Sequence, residues 1–239
     1  MPETNLKVIL LAHTPEIEKT CAMAARTCYS AMHGEELETW VEGRDPSDFL
    51  KGVLSSGHLS VLEHASFTFF VEGVSRSLLA QLTRHRIASF SVQSQRYVSM
   101  ENGFDYILPP SIRDLGEEAV REYRRQMETC AQWYRQWQEQ LGGGPKANED
   151  ARFVLPNACE TRLTLTMNCR ELLHFFSLRT CMRAQWEIRA LAEKMLSECR
   201  KAAPSLFENA GPGCVRGACP EGKRSCGQAA EVRARIASL

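Results

Sequence analysis

Apolar and polar positions repeat with two periods along this chain, and the places where one gives way to the other mark its elements. LKVILLAH (6–13) is apolar almost throughout, which predicts a buried strand. Thr14-Pro15 opens a helix over 15–28. DPSDFLKGVLSS (45–56) predicts a second helix, with Asp or Ser at its start and Gly57 after its end. ASFTFFVEG (65–73) alternates, placing Phe67, Phe69 and Val71 on one strand face. Ser75 is suited to cap the next helix, SRSLLAQLTRH, and SFSVQSQRYV then returns to a β-rich pattern. GFDYILPPS (103–111) reads as a loop stopped by Pro109-Pro110.

The longest helical pattern covers 117–141 and is broken by GGGP (142–145). A short helix is expected over 148–155, ending before Pro156. CETRLTLTMN (159–168) alternates as a strand, CRELLHFFSLR (169–179) has helical spacing, and AQWEIRALAEKMLSECRKAAP continues as an amphipathic helix. Strands and helices intermix. The expected class is therefore α/β (α+β), a single domain with a central sheet flanked by helices over 1–205, followed by a loop-like Gly/Cys/Arg-rich tail, 206–239. Strand order is not readable from the pattern.

Composition narrows the function classes. Hydrophobic residues make up 44% and charged residues 24%, as in a soluble globular protein. No apolar run is long enough for a membrane span, and MPETNLKVILLAH lacks the parts of a signal peptide, so a cytoplasmic protein is expected. Lys plus Arg and Asp plus Glu are both 29, a balance that argues against broad nucleic-acid binding but permits a local basic pocket. The ten cysteines are expected as free thiols in a reducing compartment, and Cys21, Cys159 and Cys169 as small buried hydrophobes. Cys214, Cys219 and Cys226 form C-x4-C-x6-C with no CxxC knuckle and no obvious fourth ligand. Zinc and free thiols both remain open there, with free thiols the default. His58 and His64 lie near Glu63 but lack the helical i, i+4 metal spacing, so no metal ligand is assigned. Trp133, Tyr134 and Trp137 are expected in core or subunit packing.

The densest polar stretch is Arg84-His85-Arg86-Ile87-Ala88-Ser89-Phe90-Ser91-Val92-Gln93-Ser94-Gln95-Arg96-Tyr97, at a predicted helix-to-strand junction. Guanidinium groups carry permanent charge and forked donors suited to phosphate oxygens, and Ser and Gln satisfy further acceptors. Apolar Ile87, Phe90 and Val92 are interleaved, unlike in a fully solvated charged face. The stretch reads as an anion site for a nucleotide.

RHRIASFSVQSQRY resembles the RHR-x7-S signature of the flavin-dependent thymidylate synthases, with Ser94 as the final serine. SSGHLSVLEHASFTF upstream, and DARFVLP, MNCRELLHFFSLR and RAQWEIR downstream, follow that family's order, and the resemblance covers roughly residues 5 to 205. It implies conversion of dUMP to dTMP with FAD as cofactor, NADPH as reductant and methylenetetrahydrofolate as carbon donor, in a homotetramer with shared pockets. It implies dUMP contacts from Gln81, Arg84, Ser94, Gln95, Arg96, Arg152 and Arg179, and FAD contacts from His58, Ser60, Arg84, His85, Arg86, Asn168, Arg170 and His174. Arg179 matches the arginine credited with polarising the uracil ring, in place of the thiolate used by the unrelated cysteine-dependent synthases. Two positions depart from the family pattern: Val92 stands where some members have glutamate, and His174 where some have asparagine. Cys181, close after Arg179, is read as structural. No GxGxxG or Walker A motif is present, so FAD is expected to be held without a Rossmann turn.

Overall fold

A computed structural model describes residues 1–239. The segments of period two become β1 (Lys7–His13), β2 (Ser66–Ser75), β3 (Ala88–Val92) and β4 (Glu160–Asn168). The helices are α1 (Ile17–Thr27), α2 (Gly34–Glu42), α3 (Ser47–Ser55), α4 (Arg76–Leu82), α5 (Pro110–Arg113), α6 (Glu117–Gln140), α7 (Gly144–Ala151), α8 (Cys169–Arg179), α9 (Trp186–Ala202), α10 (Pro204–Phe207) and α11 (Ala229–Ala237). The strands make one four-stranded sheet in the order β1-β2-β4-β3. Its pairing is antiparallel, so within the expected mixed class the fold is of the α+β kind. No helix is long and apolar enough to cross a membrane.

The chain gathers into two compact units. The first comprises Met1–Lys7, Phe70–Arg84 and Phe90–Thr164, and the second Val8–Phe69, His85–Ser89 and Leu165–Leu239. In the first, α6 turns Met127, Ala131, Tyr134 and Gln138 inward at helical spacing, leaving Trp133 and Trp137 half-exposed. Met127, Ala131 and Tyr134 pack with Met100, Phe104, Tyr106, Leu108, Ala151 and Cys159. In the second unit an aromatic cluster forms the core. Phe67 and Phe69 stack at 6.1 Å, and Phe207 meets Phe67 and Phe176 edge-on at 5.7 and 5.9 Å.

Two expectations change, and one further helix has no strong sequence signal. Strand β1 is present but not buried: it is a sheet edge, with Ile9 38% and Leu11 54% exposed. An apolar run cannot by itself tell a central strand from an edge strand. Helix α2 has a short apolar pattern, with only Leu37 and Val41 buried, too little for the sequence to show it. It is started by His33, whose backbone N–H donates to Glu36 Oε2 at 3.0 Å. The tail is not all loop. Val232 and Ile236, one turn apart, are buried along α11.

One glycine is obligatory. Gly73 in β2 has φ +70°, and a Cβ there would lie 2.0 Å from the Asn5 carbonyl oxygen. Its N–H donates to the buried Glu160 Oε1 at 3.0 Å. Gly73→Ala is therefore expected to destabilise the protein by about 2 kcal/mol or more, read as a lower urea midpoint, whereas Gly217→Ala, with nothing within 4 Å of its Cβ, leaves the midpoint almost unchanged.

Candidate functional site

The nucleotide candidates, Arg179 apart, all fall in the first unit: Gln81, Arg84, Ser94, Gln95, Arg96 and Arg152. The loop after β3 is shaped by Ser94, whose Oγ accepts from the backbone N–H groups of Arg96 at 3.2 Å and Tyr97 at 3.4 Å. Helices α6 and α7 brace that loop from below. Tyr134 Oη donates to Asn148 Oδ1 at 3.0 Å, and Asn148 Nδ2 donates to the Arg96 carbonyl at 3.1 Å. Glu149 ties two arginines together: its carboxylate pairs with Arg96 Nε at 2.8 Å, and its carbonyl accepts from Arg152 Nε at 3.0 Å. Gln95 Nε2 donates to Cys159 Sγ at 3.5 Å.

Arg76, not singled out from the sequence, belongs to the same cluster. Its Nη2 donates to the Gln93 carbonyl at 2.8 Å, while its Nε is buried with no hydrogen-bond partner. Burial first lowers its pKa from the ordinary arginine value; nearby Arg152 adds to the lowering, while Cys159 and Glu160 oppose it. Like charges held this close mark a place suited to an anion. Its signal was present in the sequence: a basic residue at the first position of α4, where the helix dipole disfavours positive charge. Beside it, Cys159 is fully buried, and burial pushes its pKa up to about 11. It is a poor thiolate at neutral pH. Gln81 is half-buried on α4, and Arg84 lies exposed just beyond that helix.

The second unit holds the flavin candidates other than Arg84, and Arg179. Helix α8 begins at Asn168, whose Oδ1 accepts from the Glu171 N–H at 2.8 Å, a cap that the residue's proposed flavin contact did not predict. Glu171, one turn in, is buried. Its Oε1 is 2.8 Å from His85 Nδ1, and His85 Nε2 accepts from Arg179 Nε at 3.1 Å. The accepting Nε2 fixes the tautomer: Nδ1 carries the proton and donates to Glu171. The pair thus sets the direction of the Arg179 guanidinium at the end of α8. The rings of Phe175 and His174 meet His85 at 5.0 and 5.9 Å.

A cavity of about 1180 Å³ opens on the outer side of α8. Asn168, Arg170 and His174 line it, together with Ile87 and Glu171. Leu54, Leu59, Leu173 and Leu206 supply apolar wall, and Lys51 and Arg216 supply further charge. Arg170 is ion-paired with Glu63 on the same lining. Apolar surface with a few cations and amides suits a large ligand carrying both a planar ring system and phosphate. His58 and Ser60 do not line it, although Leu59 and Glu63 from the same 3-10 turn do. His58 instead meets the Tyr29 ring edge-on at 5.5 Å. Arg86 is exposed beside Ile87, and Cys181 is half-buried and lines a separate, smaller cavity.

His85 is 5% exposed. Burial lowers its pKa from the ordinary histidine value, the Glu171 hydrogen bond opposes this, and the charges of Arg179 and His174 add to the lowering. The unfolded chain takes up this proton near pH 6.5 and the folded chain only at lower pH, so between the two the unfolded state holds more protons. The contribution is complete above about pH 6.5 and is lost as pH falls towards the folded value. Urea midpoints measured from pH 7.5 down to 5 are expected to fall in the wild type and to fall less in His85→Gln. Parallel profiles would show that His85 is not the titrating group.

The chain matches the family profile described as "Thymidylate synthase complementing protein" over residues 9–205. It is 51% identical over 229 residues to the flavin-dependent thymidylate synthase of Geobacter sulfurreducens, covering 95% of this chain and 97% of that protein. It is 40% identical to the flavin-dependent thymidylate synthase of Pyrococcus furiosus, over 90% of each. Among solved structures it resembles a UMP/dUMP methylase, PolB, from Streptomyces cacaoi bound with 5-Br dUMP, with a TM-score of 0.72 and 26% identity over 86% of this chain and 94% of that one. A profile match over most of the chain, with relatives this similar along nearly their whole length, shows that the chain belongs to the thymidylate synthase complementing protein family, that of the flavin-dependent thymidylate synthases, which are methyltransferase enzymes.

Proposed function

We propose that this enzyme converts dUMP to dTMP, taking the carbon from methylenetetrahydrofolate and using FAD that NADPH reduces. The observation that carries the reading is the orientation of Arg179 by the buried, neutral His85 and its partner Glu171. Methylation at C5 of uracil needs electron density at that carbon. A guanidinium held at the O4/N3 edge stabilises the charge that develops on the ring, and preorganised donors of this kind contribute more than flexible ones. Arg179 takes that role. A neutral His85 accepts from Arg179, whereas a protonated one would repel it.

The substrate phosphate, with about two negative charges, is assigned to Ser94, Gln95, Arg96 and Arg152, with Gln81 and Arg84 completing the nucleotide set. Arg96 exchanges its Glu149 partner for phosphate oxygens, a substitution of one anion by a more highly charged one. The cavity along α8 fits FAD in size and lining, and Asn168, Arg170 and His174 would hold it, with His58, Ser60, Arg84, His85 and Arg86 as further contacts. When bound, the flavin supplies the reducing equivalents that turn the transferred methylene into a methyl group. Buried Cys159, with its raised pKa, does not suit a covalent route. Large exposed apolar residues beside the candidates, among them Tyr97 69% and Phe153 83% exposed, support a homotetramer in which other copies cover them.

The deciding assay follows dTMP formation from dUMP with NADPH and methylenetetrahydrofolate, with and without FAD and with UMP as the competing substrate. Turnover is expected only with FAD and with strong preference for dUMP. Absence of FAD dependence would remove the reading. Arg179→Ala is expected to lower kcat by about 100-fold or more, while Arg152→Ala chiefly raises KM for dUMP, by about tenfold. Intact mass spectrometry after turnover with 5-fluoro-dUMP is expected to find no cysteine adduct; an adduct on Cys181 would replace the arginine mechanism with a covalent one.

A further inference from the structure

From Val215 to Glu231 the chain has no buried residue. Its regular structure is little more than single 3-10 turns at Gly213–Val215 and Gly222–Arg224 and the first turn of α11. A stretch with so little apolar burial lacks the means to hold one conformation, and small modules of this kind rely on a cross-link or a metal. What it carries is thiols. Cys214, Cys219 and Cys226 line one cavity of about 330 Å³, and a fourth thiol, Cys181, lines the same cavity from the turn after α8.

The four are neighbours. Burial first, and then Cys219, Cys181 and Cys226, raise the pKa of Cys214, so each of the other three stands close enough to oppose its ionisation. The loop between them closes on itself, since a Cβ on Gly213 would lie 2.7 Å from the Pro220 ring. Arginines brace both sides. Arg233 Nε donates to the Cys214 carbonyl at 2.7 Å and its Nη2 to that of Gly217 at 2.9 Å, while Arg235 Nη2 donates to the Thr180 carbonyl at 2.9 Å, next to Cys181. Arg183, itself on the cavity wall, donates to Glu221 Oε2 at 2.5 Å. All four cysteines are free.

We propose that Cys181, Cys214, Cys219 and Cys226 are the ligands of a structural zinc ion that fastens the C-terminal segment to the turn following Arg179. Four thiolates are a zinc donor set, and the resulting net charge of about −2 is offset in part by the Arg233 guanidinium. No three His, Cys, Asp or Glu side chains already stand at metal-holding spacing, so the loop draws inward on binding. Gly217, Gly222 and Gly227 have nothing packed within 4 Å of a Cβ position, which leaves room for that closure.

The test is elemental analysis of the full chain purified from zinc-supplemented cells without chelator. About one zinc per chain is expected, with bound zinc lowered at least about tenfold in Cys219→Ser and Cys226→Ser, whose side chains carry little of the core. Cobalt exchanged into the wild type is expected to give thiolate charge-transfer and tetrahedral ligand-field absorption. Should the variants fail to fold, native wild-type protein serves: the four thiols resist iodoacetamide until a chelator is added. Wild type with far less than one zinc and no cobalt spectrum, equal alkylation with and without chelator, or a disulfide among these cysteines would each overturn the assignment. None of these readouts depends on dTMP formation, so the site stands or falls apart from the proposed reaction.

Discussion

A buried carboxyl group, a neutral imidazole and a guanidinium in hydrogen-bonded series are the constraint on which the polar interior of the second unit depends. Glu171 and His85 are both buried, so neither tolerates the loss of the other: a buried donor or acceptor left unpaired costs about 1–3 kcal/mol. That mutual requirement fixes the imidazole tautomer, and the tautomer in turn presents an acceptor to Arg179. The series is possible because Asn168 caps α8 and sets its first turn, which places Glu171 facing inward and Arg179 at the far end of the same helix. The arginine's direction is thus decided by helix geometry and burial rather than by its own flexible side chain.

In the first unit the same economy appears with the sign of charge reversed. Arg76, Arg152 and Arg96 are positive groups gathered in one region, and Glu149 holds two of them in place through its carboxylate and its backbone carbonyl. Asn148, its neighbour on α7, reaches back to the Arg96 carbonyl while accepting from Tyr134 in the hydrophobic core. The loop after β3 is therefore coupled to core packing of α6. Three guanidiniums against the carboxylates of Glu149 and Glu160 leave the region short of negative charge, a condition that favours an anionic ligand.

Residue identity and spacing were enough to find the elements with strong periodicity. The alternation of β2 and β4 and the helical spacing of α6 and α8 survive folding because each buries one face. The same reading gave β1 the wrong burial, because edge and centre positions in a sheet are settled by which strands pair, and pairing is a long-range property. Helix α2 is not legible there, because two buried residues make too faint a pattern. The family resemblance implies a flavin contact for Asn168, whereas its cap on α8 follows from the local backbone conformation.

What the sequence by itself determined is the family resemblance, the mixed α+β class and the identity of the charged groups proposed for the site, because those reside in local pattern and residue type. What only the tertiary structure decided is which groups are partners: that His85 stands between Glu171 and Arg179, that Arg76 joins Arg152, and that Cys181 comes to the cavity of Cys214, Cys219 and Cys226. The physical reason is the same in each case. Charge and hydrogen-bonding capacity belong to a side chain, but protonation state, tautomer and ligand geometry belong to its neighbours, and those neighbours are distant in sequence until the chain folds.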